Sequence, residues 1–255
     1  VLGPAIGGLL GVYGARLPFW VAGACSLANA LYGYFILPES LPRERRAGFR
    51  WRTANPIGAL QLLRSHPQLL GLAAANFLGY IAHEVLPSTF VLFAGYRFAW
   101  DERAVGLFLA GVGLAGMVVS GGLVQPIVTW LGERRALLLG LTCGALAFAV
   151  YGLAQRGGLL WCAIPLQALW GVAGASAQQI MTRRVEPSAQ GQLQGANSSL
   201  RGVAGLIGPG LFTLTFARAI DPSRASQMPG APFVLASALV AGAVAVAWRS
   251  TRPHA

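Results

Sequence analysis

Long apolar stretches alternate with short polar ones along most of this chain. Windows with no Asp, Glu, Lys or Arg lie at residues 17–38, 104–132, 136–155, 157–182 and 225–248. A helix needs roughly 20 apolar residues to cross a bilayer, and each window is long enough. Glycine and alanine are frequent in these windows, which is typical of helices that pack closely in a membrane. The pattern therefore predicts an all-α, polytopic membrane protein.

Eight membrane segments are predicted, at about residues 1–14, 17–37, 67–93, 103–131, 135–155, 158–181, 193–217 and 232–249. The chain starts without Met inside the first, incomplete segment, so we expect a fragment that lacks a preceding part. Residues 38–66 form the one long polar stretch, and it holds six arginines. We interpret it as a loop between two membrane units, with a short amphipathic helix at residues 56–65 on the membrane surface.

Charged residues are scarce, and most of them are positive. Only 11% of the 255 residues are charged, whereas soluble domains carry roughly 25%. The net charge of +11 comes from Arg, because the sequence contains no Lys. These arginines lie in the gaps between apolar windows and not on one basic face, so nucleic acid is not a predicted partner. Cys25, Cys143 and Cys162 lie inside apolar windows, where we expect small buried thiols without disulfides.

The distribution of arginines predicts which side of the membrane each loop occupies. Cytoplasmic loops carry an excess of Arg and Lys, so residues 38–66 are placed in the cytoplasm and the segments alternate from there. The cytoplasmic side then receives twelve arginines, at positions 43, 45, 46, 50, 52, 64, 134, 135, 183, 184, 249 and 252. The outer side receives six, at positions 16, 97, 103, 156, 218 and 224. This orientation leaves the C-terminus in the cytoplasm.

Similar short motifs occur toward the two ends of the chain. GPAIGG starts at Gly3 and GPG starts at Gly208, and each is followed by the dipeptide PF. Two related halves in parallel are a known plan among transporters. In the first motif, Pro4 removes a backbone donor and bends the helix. Gly7 and Gly8 let a neighbouring helix approach closely.

These motifs resemble those of the major facilitator superfamily, and within it the drug:proton antiporter group. GPAIGGLLG at residues 3–11 is similar to the antiporter motif of the fifth helix. FVLFAGYRFAWD (90–101), LGERRALLLG (131–140), QGQLQG (190–195) and GPGLFT (208–213) resemble the TetA-type tetracycline/H+ antiporters. The resemblance implies the major facilitator fold, a bacterial inner-membrane location and helices five to twelve of a twelve-helix transporter.

The resemblance also implies an organisation and a set of gating residues. Residues 1–37 correspond to the end of the N-terminal half, residues 38–66 to the cytoplasmic central loop and residues 67–255 to the C-terminal six-helix half. The gating residues are Gly3, Pro4, Gly7, Gly8, Gly208 and Pro209 in helices, and Gly132, Arg134 and Arg135 in a cytoplasmic loop. Where tetracycline exporters have a His in the eighth helix and an Asp in the ninth, this chain has Gly116 and Gly144.

One candidate site for coupling chemistry lies in the third segment. Glu84 is an acidic residue in the middle of this predicted span, and His83 is adjacent. At roughly 100° per residue, Asn76 and Tyr80 share their side of the helix, and Pro87 is expected to break it. We expect Glu84 to take up and release the coupling proton, with His83 tuning its affinity. The alternative is that Glu84 lies near the outer interface and faces water.

Two further polar stripes are candidates for a substrate cavity. Arg201 shares a helix face with Gln194 and Asn197. It either meets an acidic group or an anionic part of the substrate, or extends to the cytoplasmic surface. Gln167 and Gln178 share a face of another helix, where their amides either line a cavity or hydrogen-bond between helices.

The sequence thus predicts a secondary active transporter that exports a small amphipathic, drug-like compound in exchange for protons, with tetracycline as one candidate. Its expected partners are the small-molecule substrate, protons, the lipid bilayer and the missing N-terminal half. An importer or facilitator of a sugar or organic acid is one alternative, and a transport-inactive membrane protein with a sensing or assembly role is another. The sequence has no enzyme motif, P-loop or Cys/His metal cluster, so no catalysis, cofactor or metal is predicted.

Overall fold

The computed structural model describes residues 10, 14, 16–37, 67–223 and 227–252. Several sequence predictions therefore fall outside the described residues. They are the gating residues Gly3, Pro4, Gly7 and Gly8, nearly all of the first segment, and the polar stretch at 38–66.

The chain divides into two compact units, Val1–Gly48 and Phe49–Ala255. In the first unit, Leu17–Phe35 form helix α1, at the position where the sequence predicted the second membrane segment. A proline is well accommodated in the first turn of a helix, and Pro18 lies there. By length and hydropathy, α1 is not among the helices of the described residues that could cross a membrane.

The second unit is helical throughout most of its described residues. Its helices are α2 (Pro67–His83), α3 (Val85–Phe98), α4 (Glu102–Val118), α5 (Val124–Leu131), α6 (Glu133–Leu153), α7 (Gly158–Arg183), α8 (Gln190–Ala219) and α9 (Ala231–Ser250). A π-helical turn, Val119–Leu123, joins α4 to α5, and a 3₁₀ turn, Pro187–Ala189, precedes α8. Together they make six helical spans that are long and apolar enough to cross a membrane. The predicted all-α, polytopic fold is confirmed.

The third predicted segment is longer than expected. Its helix continues to Phe98 and not only to about residue 93. It ends where Ala99 adopts a left-handed conformation (φ 51°) and donates its N–H to the Gly95 carbonyl, as in a helix C-terminal motif. Arg97 in the last turn does not stop the helix, because a cation there is favourable to the helix dipole.

Close helix packing depends on small residues at the crossings. α6 packs against α7 and α9, and α2 packs against α9 and α8. At the α6–α7 crossing, Gly140 is so close to α7 that a Cβ on it would lie 2.6 Å from the backbone nitrogen of Ala173. At the α6–α9 crossing, a Cβ on Gly152 would lie 2.9 Å from the backbone nitrogen of Val234. These contacts are the small-residue packing that membrane helices use in place of a hydrophobic driving force.

A cluster of buried aromatic rings joins four of the spans. Phe90 of α3 stacks on Phe108 of α4, with ring centroids 4.8 Å apart. Phe233 of α9 lies 4.8 Å from Phe93 and meets the ring of Tyr151 edge-on at 6.0 Å. Aromatic pairs at these separations contribute about 0.5–1.5 kcal/mol each beyond the area they bury. The cluster therefore fixes the relative positions of α3, α4, α6 and α9.

The two ends of the six-span unit carry different numbers of arginines. Arg134 Nε donates to Thr251 Oγ1 at 3.2 Å, and Arg183 pairs with Glu133 at 3.0 Å, so the start of α6 and the ends of α7 and α9 lie at one end. Tyr96 near the end of α3 hydrogen-bonds Gln227 at the other end. The described arginines at positions 134, 135, 183, 184, 249 and 252 are therefore at the first end, and those at 97, 103, 156 and 218 are at the second.

The three cysteines are free, as predicted. Cys143 is buried, but Cys25 and Cys162 are exposed, so the prediction that all three are buried is wrong for these two. An apolar window does not reveal which face of a helix is buried, because the outer surface of a membrane span is itself apolar.

The substitution Gly140→Ala tests the packing of α6 on α7. A methyl group there would overlap the Ala173 backbone, which cannot move cheaply, so we expect a loss of about 1–3 kcal/mol of stability. The measurement is the thermal unfolding midpoint of the full-length gene product in detergent. Gly106→Ala is the matched control, because no atom lies within 4 Å of a Cβ at Gly106. Equal midpoints for the two variants would contradict the packing described above.

Candidate functional site

The first span of the six-span unit is interrupted at Glu84, between α2 and α3. Pro87 has no backbone N–H, so the carbonyl of His83 receives no i+4 hydrogen bond and the helix breaks there. The N–H of Glu84 donates to the Ile81 carbonyl at 3.0 Å, as in a tighter 3₁₀ turn. Ser88 closes the break, because its N–H and its hydroxyl both donate to the Glu84 carbonyl. The prediction that Pro87 breaks this helix is confirmed.

Glu84 lies near the midpoint of its span. The span Leu69–Phe98 is 30 residues long. At 1.5 Å per residue, Glu84 is about 20 Å along the helix from either end. The helix extends beyond its predicted end, so Glu84 is near the middle of this helical span and not near either of its ends.

A cavity of about 570 Å³ opens beside Glu84, and we call it the Glu84 cavity. Its lining consists of Ala75, Asn76, Gly79, Tyr80, His83, Glu84, Leu86, Val112, Gly116, Ser120, Leu137, Leu141, Gln167, Ala168, Trp170, Gly171, Ala173, Gly174 and Arg201. The structure thus brings together six of the residues that the sequence singled out, namely Asn76, Tyr80, His83, Glu84, Gln167 and Arg201. They come from three helices, and most of the remaining lining is apolar.

A cation–π contact holds Arg201 at the Glu84 cavity. The guanidinium of Arg201 on α8 lies over the ring of Tyr80 on α2, 4.8 Å from its centroid. Such contacts contribute about 0.5–1 kcal/mol at exposed sites and more where water is excluded. The contact directs Arg201 across to α2, into the lining that also contains His83. The side chain of Arg201, which is exposed, therefore lies against α2.

Glu84 is also packed against α8, at Gly205 and Gly208. A Cβ added to Gly208 would lie 2.5 Å from Cβ and 2.6 Å from Cγ of Glu84, and a Cβ on Gly205 would lie 4.0 Å from Glu84 Oε1. Gly208 is buried, and Pro209 follows it inside α8. The Gly208–Pro209 pair, which the sequence assigned to a gating motif, thus provides the space that the Glu84 side chain occupies.

Three predicted cavity residues lie elsewhere. Gln178 and Asn197 join α7 to α8, because Asn197 Nδ2 donates to Gln178 Oε1 at 3.0 Å. Gln178 Nε2 also donates to Thr182 Oγ1 at 3.3 Å. Gln194 is exposed and does not line the Glu84 cavity. The physical reason is distance along the helix: Gln178 shares a face with Gln167 but lies three turns further on, beyond the cavity.

The predicted cytoplasmic loop forms a tight turn, and Arg134 beside it contacts residues at the end of α9. Gly132 joins α5 to α6 with φ 76°, a conformation that favours glycine. Arg134 lies over the ring of Trp248 at 5.0 Å in addition to its hydrogen bond with Thr251. Arg135 lines a second cavity of about 600 Å³ with Gly132 and Arg134. These contacts tie the turn between α5 and α6 to the end of α9.

Sequence reasoning missed Trp170, which has a central place in the Glu84 cavity. Its ring centroid lies 5.8 Å from that of His83. A Cβ on Gly144 would lie 2.6 Å from Cγ and Cδ1 of Trp170, so the indole occupies the space beside this glycine. Gly116 also lines the cavity. Gly116 and Gly144, which the sequence analysis singled out, thus lie in or against the cavity wall. The sequence alone offered no signal for Trp170, because a glycine on α6 does not show which residue of α7 lies against it.

Ionisable groups inside apolar spans are rare and functional by default. A six-span helical unit with a carboxylate, an imidazole and a guanidinium around one cavity is a multi-pass membrane protein of the secondary-transporter type. Residues 1–209 match the Major Facilitator Superfamily model. The chain therefore belongs to the Major Facilitator Superfamily of membrane transporters.

Curated relatives include bacterial and mammalian proteins. The chain is 29% identical over 242 residues to the class C tetracycline resistance protein of Escherichia coli, which covers 94% of this chain and 59% of the relative. It is 30% identical over 220 residues to the class G tetracycline resistance protein of Vibrio anguillarum, covering 85% of this chain and 55% of the relative. It is 26% identical over 260 residues to human Hippocampus abundant transcript-like protein 1, covering 94% and 51%. The chain spans about half the length of the relatives it matches.

The substitution Gly208→Ala tests the packing of Glu84 against α8. The added methyl group would overlap Glu84 Cβ and Cγ, and we expect a loss of about 1–3 kcal/mol of stability. The control is Gly210→Ala on the same helix, where no atom lies within 4 Å of the new Cβ. Thermal unfolding of both variants, alone and combined with Glu84→Gly, which removes both overlapping carbons, gives the coupling between the two sites. Strict additivity of Gly208→Ala and Glu84→Gly would argue against this contact.

Proposed function

We propose that the protein containing this chain exports a small amphipathic compound in exchange for protons, and that Glu84 carries the proton. The observation that supports this proposal best is the position of Glu84, an acidic side chain at mid-span that lines a cavity with His83 and Arg201. The other acidic residues of the described second unit lie at the ends of the six spans or between spans. A carboxyl in that position binds a proton more tightly when water leaves the cavity and less tightly when water enters.

The helix break at Glu84 supplies a physical link between proton binding and conformation. The residue lies between two helical segments, so a change in its packing alters the angle between α2 and α3. Its side chain also fills the space at Gly208 on α8. A coupling ion must bind the two states of a transporter with different affinity, or it shifts nothing. Loss of the charge on Glu84 would change how its side chain packs at Gly208 and so favour one arrangement of α8 over the other.

A second six-helix half and a defined orientation complete the proposal. Because the chain spans about half of its relatives, we infer that a preceding half closes the Glu84 cavity and that the two halves move by alternating access. The end of the unit with more arginines is placed in the cytoplasm by the positive-inside rule, together with the C-terminus. The membrane is the bacterial inner membrane. Tetracycline is the first substrate to test, because two of the relatives are named as tetracycline resistance proteins.

The substitution Glu84→Gln tests the proton role in the full-length protein. The amide keeps the shape of the carboxyl but cannot carry the proton, so uptake of tetracycline into everted membrane vesicles should lose its response to an imposed pH gradient. The matched control is Glu102→Gln at the exposed start of α4, which should behave as the unaltered protein does. Full gradient-driven transport by Glu84→Gln would exclude Glu84 as the carrier. Uptake of substrate into intact cells, in place of export, would favour an importer.

A further inference from the structure

One face of α7 combines a large ring, an amide and two glycines. Trp170 and Gly171 lie three and four residues after Gln167, and Gly174 lies seven residues after it, so all four fall on one stripe of the helix. The stripe faces the Glu84 cavity, because each of its members is part of the lining. This spacing was visible in the sequence for the glutamine and the glycines, but the role of the tryptophan was not.

The Trp170 ring is held in a fixed position from the side of α6. Phe148 of α6 meets it edge-on, with ring centroids 5.2 Å apart and an interplanar angle of 75°. Gly144 lies against its pyrrole edge, where a Cβ would be only 2.6 Å away. A ring that is already immobilised loses little conformational entropy when a ligand stacks on it. Trp170 is therefore a preformed aromatic surface at the cavity wall.

Open space and an unused hydrogen-bond acceptor lie beside this ring. No atom is within 4 Å of a Cβ placed on Gly171 or on Gly174, so the cavity extends over both glycines. The Oε1 atom of Gln167 is buried and accepts no hydrogen bond from the described residues, and the residue is only 8% exposed. Buried polar atoms nearly always have a partner. A donor group on a bound molecule would satisfy this oxygen.

We propose that Trp170, Gly171, Gly174 and Gln167 form a subsite for a flat, fused-ring aromatic compound with a hydrogen-bond donor on its edge. The compound stacks on the indole, occupies the slot over the two glycines and donates to Gln167 Oε1. This inference rests on the proposed function, since it names the substrate class of the same cavity. It does not depend on the proton role of Glu84, because stacking at equilibrium needs no proton gradient.

The test is equilibrium binding of proflavine, a flat fused-ring probe with two amino groups, to the purified full-length protein in detergent at constant pH. Trp170→Leu removes the ring, and Gly171→Leu adds a side chain in the slot, where its Cβ meets no neighbouring atom within 4 Å. Each should weaken the binding of proflavine at least about tenfold, the equivalent of about 1.4 kcal/mol. Trp170→Phe, which keeps a ring, should weaken this binding less than Trp170→Leu does. Gln167→Leu should weaken the binding of proflavine more than that of acridine, which has no N–H to donate.

Gly106→Leu is the matched control for Gly171→Leu, because Gly106 is equally open but does not line the cavity. It should bind proflavine as the unaltered protein does, and gel filtration confirms that each variant is folded. The subsite is disproved if the unaltered protein does not bind proflavine, or if Trp170→Leu and Gly171→Leu bind it unchanged. If Glu84→Gln keeps full gradient-driven transport while the Trp170 and Gly171 variants still bind proflavine weakly, the proton role of Glu84 is excluded and the subsite is not.

Discussion

A carboxylate at the middle of an apolar helix must have space and polar surroundings, since an isolated charge in hydrocarbon is costly. The second unit meets these needs at Glu84 with different elements. The helix is interrupted at Glu84, α8 has glycine where the side chain packs, and His83 and Arg201 line the same cavity. A larger residue at Gly208 would overlap the Glu84 side chain, and loss of the cavity would leave the carboxyl in an apolar environment without polar groups.

Glycine determines where large groups can lie in this bundle. At Gly140 the space is taken by the backbone of α7, at Gly144 by the Trp170 indole, and at Gly208 by Glu84. In each case the neighbour is different, although the sequence shows the same small residue in an apolar helix. Other glycines of the described residues meet no neighbour, and among these Gly171 and Gly174 line the Glu84 cavity whereas Gly106 does not. A glycine in a membrane helix therefore marks a close crossing, a cavity or an open surface, and only the arrangement of the helices distinguishes the three.

The spans were predictable because the absence of charge over about 20 residues is sufficient to define them. The ends of the spans were less predictable. Arg97 lies inside the last turn of α3, so a rule based on charge alone ends that helix too early. Helical spacing correctly grouped Asn76 and Tyr80 with Glu84, since all three are in one span and within eight residues of one another. It failed to separate Gln167 from Gln178, because a shared face does not show where along that face a cavity ends. Trp170 was missed since a tryptophan in an apolar helix gives no periodic signal of its own.

In the proposed mechanism, the position of the ionisable groups matters less for coupling than their access to one cavity. Gly116 lines the Glu84 cavity and Gly144 makes room for Trp170, while the carboxyl comes from Glu84 between α2 and α3. The proposed proton site works through the difference in hydration between two states, and any wall of the cavity that gains and loses water provides that difference. With the carboxyl at the break between α2 and α3, the wall at α6 and α7 is free for an apolar ring, so that one cavity has room for the proposed proton site and an aromatic surface side by side.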